Sequence, residues 1–299
     1  MASCGGEQGQ NYQPFIVAGW RKFFSLQPED TCLVDVCSGN GAIACIAAEI
    51  SIEAKLAFQI HAFDAANIAP PRLYLEKDTQ VQRIHYRPQV TAESTHYPDR
   101  KFNVIVGQYA IEYTQLDKTL PELKRISKPN CSLRFILHAQ ESIVVASAHR
   151  QLNDIRYIKE TEPLFSTAIH VVLAHDRRNG TGNPESGNAK LQQVIRNIGK
   201  AASGAAEPEM YHYTCGMVLD TLHNLPQQGT ALTLGKIQEI EKSLDAHSSR
   251  LAAMTHAAKN ADQIQELKTK MEAVWSCPLK TEPLKRRDGA LFGWIIQSI

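Results

Sequence analysis

The feature that most constrains this chain is a glycine turn between a short apolar run and an Ala/Ile-rich stretch. Cys32-Leu-Val-Asp35-Val-Cys37 is rich in β-formers and leads into Ser38-Gly39-Asn40-Gly41, after which Ala42 to Ile50 has the composition of a helix. Glycines at such a junction let the backbone take positive φ and approach a ligand closely beside a helix N-terminus. The pattern then repeats. Ala57–Phe63, Val81–Tyr86 and Phe102–Val106 read as strands, Leu116–Ser127 as a helix stopped by Pro129-Asn130, and Ser132–His138 as a fifth strand. The unbroken apolar run Phe102–Val106 suits a strand covered on both faces. Strand and helix alternating at this spacing predict a doubly wound, mostly parallel α/β sheet.

Beyond His138 the pattern turns helical. Ser142–His175, Ala189–Lys200, Met210–Leu225 and a long amphipathic Lys236–Trp275 read as helices, with Arg177–Asn188 as a loop rich in Gly and Asn. In the long segment Ile237, Ile240, Leu244, Leu251 and Met254 share one face, and Ile264, Leu267, Met271 and Val274 resume it one residue out of step. Cys277–Arg287 and Ala290–Ser298 flank Asp288-Gly289, a hairpin turn. The expectation is a seven-stranded sheet (31–141 and 276–299) closed by an antiparallel C-terminal hairpin. Residues 1–30 form a tail and covering helix. Residues 142–275 form an all-helical cap, or lid, inserted after the fifth strand.

With 32 basic and 31 acidic side chains in 299 residues, the net charge is +1. That balance argues against a dedicated nucleic-acid binder, which needs a basic face. No apolar run reaches the roughly 20 residues of a membrane span. The seven cysteines form no C-x-x-C pair, which argues against a zinc ribbon, so no metal is expected. Met1–Gln10 carries no secretion signal, and an odd number of thiols points to a reduced, cytoplasmic setting.

The turn admits two cofactor readings. Gly39-x-Gly41-x-x-Ala44 satisfies the dinucleotide pattern of a nicotinamide oxidoreductase. That pattern has no use for Asp35 inside the preceding strand, and a carboxylate buried there needs a partner such as an ammonium group. Asp35-x-Cys37-x-Gly39-x-Gly41 resembles motif I of the class I S-adenosylmethionine-dependent methyltransferases, with Cys37 where the first Gly usually stands. Asp64 closes the second strand, as does the acidic residue that holds the cofactor ribose in that family. Thr91-Ala92-Glu93 falls where the family usually has an Asp near the adenine. The run Pro98–Val106, the helix and K-P turn of Leu116–Pro129, and the final hairpin with its Phe-Gly-Trp follow in order.

The resemblance implies S-adenosyl-L-methionine as cofactor. It would be held by Asp35, Cys37, Ser38, Gly39, Asn40, Gly41, Asp64, Ala65, Ala92, Glu93 and Gln108. Tyr12 would join them from an aromatic N-terminal stretch that also contains Phe15, Trp20, Phe23 and Phe24, though a stripe at helical spacing is more often plain core. The segment Gln108-Tyr109-Ala-Ile-Glu112-Tyr113 lies in the family next to the transferable methyl group. Ligands of open α/β sheets sit beyond the carboxyl ends of strands, so Glu112 and His138 are candidates to orient or deprotonate the acceptor and Tyr109 to line its channel. The expected activity is methyl transfer to a small molecule or peptide side chain under the lid, with no nucleic-acid or membrane partner and a homodimer through the cap helices. The alternatives are an NAD(P)-dependent oxidoreductase and a non-catalytic cofactor-binding or interaction protein of the same fold.

Overall fold

In the computed structural model, described for residues 13–67, 84–176 and 184–299, strand β1 (Cys32–Val36) is buried along its whole length. A central parallel strand has no solvent face, which is why its sequence does not alternate. The strands β2 (Gln59–Asp64), β3 (Ile84–Pro88), β4 (Phe102–Gln108), β5 (Ser127–Leu137), β6 (Leu279–Lys285) and β7 (Leu291–Ser298) complete one seven-stranded sheet in the order β3-β2-β1-β4-β5-β7-β6. The pairs among β1 to β5 are parallel, and β7 runs antiparallel to both β5 and β6. The doubly wound sheet with a C-terminal antiparallel hairpin is therefore as expected from the sequence. Gly289 makes the hairpin turn at φ +86°.

Helices cover both faces. On one, Ile16, Trp20 and Phe24 of α1 (Pro14–Ser25) and Ile43, Ile46 and Ala47 of α2 (Ala42–Glu53) pack on Leu33, Ile60, Val104 and Val106. On the other, Leu120, Leu123 and Ile126 of α3 (Leu116–Ile126) pack with the last helix on Val34, Ile105, Leu133 and Phe135. Backbone contacts divide the chain into two compact units, one of residues up to Val144 together with Ala257–Ile299 and the other Val145–His256. The second unit is helical, with α4 (Ile143–Arg156) running on from its boundary. A π-turn over Tyr157–Thr161 leads into α5 (Leu164–Asp176), α6 (Pro184–Gly204), α7 (Glu209–His223), the short α8 (Leu225–Gln228) and α9 (Thr230–Ala257). It has its own apolar core, including Ile158, Phe165, Val172, Val194, Val218 and Ile237.

Several boundaries depart from the sequence reading. The turn expected at Pro129-Asn130 lies inside β5, where pairing jumps from Phe102↔Ser127 to Val104↔Ser132 and Asn130 takes φ +58°. Part of the expected Val81–Tyr86 strand, and residues 177–183 of the expected loop, lie outside the described residues. The rest of that loop is helix, since α6 starts at Pro184, a residue suited to the first helical turn.

The segment Lys236–Trp275 is two helices. Between α9 and α10 (Ala261–Trp275), Lys259 forms an isolated bridge with Ala139. Asn260 then restarts the helix with a reciprocal cap, accepting from Gln263 N at 2.9 Å while Gln263 Oε1 accepts from Asn260 N at 3.0 Å. The one-residue phase shift in the sequence marks this break. Ile264, Leu267, Met271 and Trp275 bury against the sheet, so α10 belongs to the first unit. A single long helix available for a dimer contact is thus not what forms.

Met271 is fully buried in that sheet core. Met271→Ala is expected to lower stability by about 2–5 kcal/mol through the cavity it leaves, read as a shifted urea midpoint. A change below about 0.5 kcal/mol would contradict the placement of α10.

Candidate functional site

The site is built from the carboxyl ends of β1, β2, β4 and β5. β1 hands over to α2 through a turn in which Cys37, Gly39 and Gly41 all take positive φ, +51°, +52° and +79°. Ser38 N donates to Phe63 O at 2.9 Å, tying the turn to the end of β2. A Cβ on Gly41 would lie 2.5 Å from the Tyr86 hydroxyl, whereas one on Gly39 would meet nothing within 4 Å. Gly41 is therefore required by packing, and Gly39 keeps an open side toward any ligand. Cys37 adopts a left-handed conformation that costs an ordinary residue about 1–2 kcal/mol, at the position where the resembled motif carries Gly.

Two carboxyls frame the turn. Asp64 accepts from Gly39 N and from Ala66 N, both at 2.8 Å. Asp35 is 1% exposed. It accepts from Ala44 N at 3.2 Å, and burial outweighs that bond to raise its pKa to about 8. Glu93, beyond β3, accepts from Gln115 N at 2.9 Å. The Cys37 thiol is pushed up first by burial and then by the carboxyls of Asp64, Asp35, Glu93 and Glu112. A buried carboxyl that keeps its proton until a cation arrives suits a cationic ligand better than a pyrophosphate, which favours the sulfonium cofactor over a dinucleotide. The buried carboxyl, the open Gly39 and the acidic surroundings fit S-adenosylmethionine. Asp35, Gly39 and Asp64 are the residues that would hold it, and when bound it would supply an electrophilic methyl group.

At the end of β4, Gln108 accepts a hydrogen bond from Trp20 Nε1 at 2.6 Å. Tyr109 then takes φ +54°, turning out of the strand to stack on His138 with centroids 3.9 Å apart and planes 6° from parallel. Tyr113 meets the same imidazole edge-on at 6.1 Å. Glu112 is 6% exposed. Its Oε1 accepts from His138 N at 3.0 Å, while Oε2 is buried with no hydrogen-bond partner among the described residues. Burial raises its pKa to about 7, against the opposing pull of hydrogen bonds from His138 and other backbone N–H groups and the Lys259 charge. His138 is 3% exposed, and burial lowers its pKa to about 3. A base works best with a pKa near the working pH, so Glu112 is the better tuned of the two.

The structure thus brings together Asp35, Cys37, Ser38, Gly39, Gly41, Asp64 and Glu93 around the turn, and Gln108, Tyr109, Glu112 and His138 beyond β4 and β5. Asn40 and Ala65 are exposed, and Ala92 gives its side chain to the core. Tyr12 lies outside the described residues. Of the aromatic stretch, Trp20 and Phe24 are core, and Trp20 also reaches the site. Sequence reasoning missed Lys259, whose N–H donates to His138 O at 2.9 Å. The phase break beside it was its one visible signal. It also missed Tyr86, which carries no motif and is recognised only by its packing on Gly41.

Gly41→Ala forces both a clash and a disfavoured φ. It is expected to lower stability by about 1–3 kcal/mol and to weaken binding of S-adenosylhomocysteine, whereas Asn40→Ala changes neither. Glu112 holds its proton more tightly folded than unfolded. Its contribution is therefore fully present below about 4.5 and lost as pH rises through about 7. Glu112→Gln keeps the acceptor for His138 N, so urea unfolding should show the variant gaining on the wild type from pH 5 to pH 8 by on the order of 3 kcal/mol.

Comparison with known proteins places the site in a family. The family profile described as a methyltransferase domain matches residues 10–175. A search of curated proteins finds no match. Among solved structures, the cyclase SpnF shares 21% identity over 41% of this chain and 43% of its own, with a TM-score of 0.35. A SAM-dependent methyltransferase from Aquifex aeolicus shares 20% over 42% of this chain and 65% of its own, at 0.35. The YcgJ protein from Bacillus subtilis shares 13% over 95% and 94%, at 0.37. The chain thus spans less than two thirds of the first two. With its motif-I turn, its acidic site and a profile match across more than half its length, the chain belongs to the methyltransferase-domain family, whose cofactor is S-adenosylmethionine.

Proposed function

We propose that this protein catalyses methyl transfer to a protic acceptor on a small molecule or an exposed side chain, with Glu112 as the group that orients the acceptor and takes its proton. The observation that carries this reading is the buried, unpartnered Oε2 of Glu112, beside His138 and Tyr109 at the strand ends that adjoin the glycine turn. Methyl transfer is an in-line displacement, so the chain's own residues mainly align the acceptor and exclude water, which can contribute on the order of 7–11 kcal/mol at best. Proton removal by a positioned carboxylate adds about 10²–10⁴-fold. The neutral, stacked His138 and Tyr109 form a flat wall for the acceptor. The helical unit Val145–His256 is assigned to substrate selection, since it has a core of its own and no part in the glycine turn.

The first test is calorimetry with S-adenosylhomocysteine against NAD. Binding of the former alone is expected, and the reverse would restore the oxidoreductase reading. The second follows transfer of a radiolabelled methyl group into a cell extract. Wild-type turnover should rise with pH through about 7 as Glu112 ionises. Glu112→Gln should lose about 10²-fold or more and flatten that profile, with cofactor affinity retained. His138→Ala should cost less. Turnover by Glu112→Gln equal to the wild type would remove Glu112 from the chemistry.

A further inference from the structure

Helix α1 does more than cover the sheet. Trp20 is fully buried and stacks on Phe24 at a centroid separation of 5.7 Å. Facing it is Arg134 of β5, 7% exposed, whose guanidinium carbon lies 5.1 Å from the Trp20 ring and 5.6 Å from that of Phe23. Arg134 donates to Gln297 Oε1, a neutral group. A desolvated guanidinium held against two aromatic rings is attracted by both, which ties α1 to β5 and sets the height of the indole.

The indole nitrogen then donates to Gln108 Oε1 at 2.6 Å. An indole N–H can donate but never accept. The contact therefore decides which way round the Gln108 amide sits, with its oxygen toward Trp20 and its NH2 directed away. That NH2 is buried and has no partner among the described residues, on a residue only 7% exposed. A buried donor left unpaired is costly, and such groups in native proteins find an acceptor. Gln108 lies two residues beyond Val106, and Cys37 lies two residues beyond Asp35, the residue with which Val106 pairs. The free donor is thus level with the glycine turn, and the ligand site is where its acceptor would come from.

We propose that Trp20 is a positioning residue, fixing the Gln108 amide so that its NH2 donates to a carboxylate or carbonyl oxygen of the bound ligand. This rests on the site being that of S-adenosylmethionine. The oxygen has two possible sources with the same chemistry, the carboxylate of the cofactor's amino-acid end and an oxygen of the methyl acceptor.

The test uses the full chain, two variants and two probes. Trp20→Phe keeps a ring over Arg134 and removes the N–H together with part of the indole, a packing loss that the thermal midpoint and the second probe register. Gln108→Glu keeps an acceptor for Trp20 and replaces the NH2. The probes are S-adenosylhomocysteine and its decarboxylated analogue, measured by calorimetry alongside thermal midpoints. The expected result is that both variants bind S-adenosylhomocysteine roughly ten- to a hundredfold more weakly while affinity for the decarboxylated analogue does not fall. That outcome places the oxygen on the cofactor. Unchanged affinity for both probes, with at least a tenfold loss of labelled methyl transfer into an extract, supports the proposal and places the oxygen on the acceptor. A defect of packing alone lowers affinity for both probes together, and that result overturns the proposal. So does a Trp20→Phe protein that matches the wild type in binding and in transfer. If the wild type binds neither probe, the methyltransferase reading itself fails, an outcome distinct from the others.

Discussion

A carboxyl group buried at or just beyond the end of a β-strand is tolerable only where something shares its charge or its proton, and this unit accepts that constraint twice, at Asp35 in β1 and at Glu112 in the 3-10 turn after β4. Asp35 meets a single backbone N–H at the start of α2, and Glu112 meets the N–H of His138. In both, burial outweighs the hydrogen bonds and the proton is retained up to about pH 8 and about pH 7. A fold that keeps such groups protonated holds potential stabilisation for a ligand that supplies a cation or a hydrogen-bonding partner. The glycine turn and Tyr109 both take positive φ just beyond the ends of β1 and β4. Backbone strain and unsatisfied polarity both occur at these strand ends.

Around these strand ends the supporting contacts come from distant parts of the chain. α1 reaches Gln108 through Trp20, β3 presses Tyr86 against Gly41, and the break between α9 and α10 holds the carbonyl of His138 through Lys259. Each acts on the backbone or the orientation of a site residue rather than forming the turn itself. Such contacts confer the tight placement that alignment-driven catalysis needs. The helical unit Val145–His256 packs around its own core. No helix among the described residues is long and apolar enough to cross a membrane.

Much of this was legible in the chain because parallel α/β structure writes itself locally. Buried strands show as continuous apolar runs and helices as periodic ones, and the glycine turn marks where they meet. The acidic residues at the strand ends could be picked out for the same reason, since charge inside such runs is conspicuous. Boundaries that depend on partners were harder to read. Ser127–Leu137 reads as a turn followed by a strand because Pro129-Asn130 is a breaker in isolation, yet pairing with Phe102 keeps Ser127 in the sheet. Lys236–Trp275 reads as one helix because the apolar face slips by only one residue, yet its two halves bury against different cores.

By itself, the sequence determined the order of elements, the turn and the acidic character of the site, because these follow from residue type and spacing within a few positions. The tertiary structure decided which titratable group lies near neutrality, Glu112 rather than His138. It also decided which way round the Gln108 amide lies, and that α10 serves the sheet. Those outcomes depend on desolvation and on partners tens of residues away, quantities that no local pattern encodes.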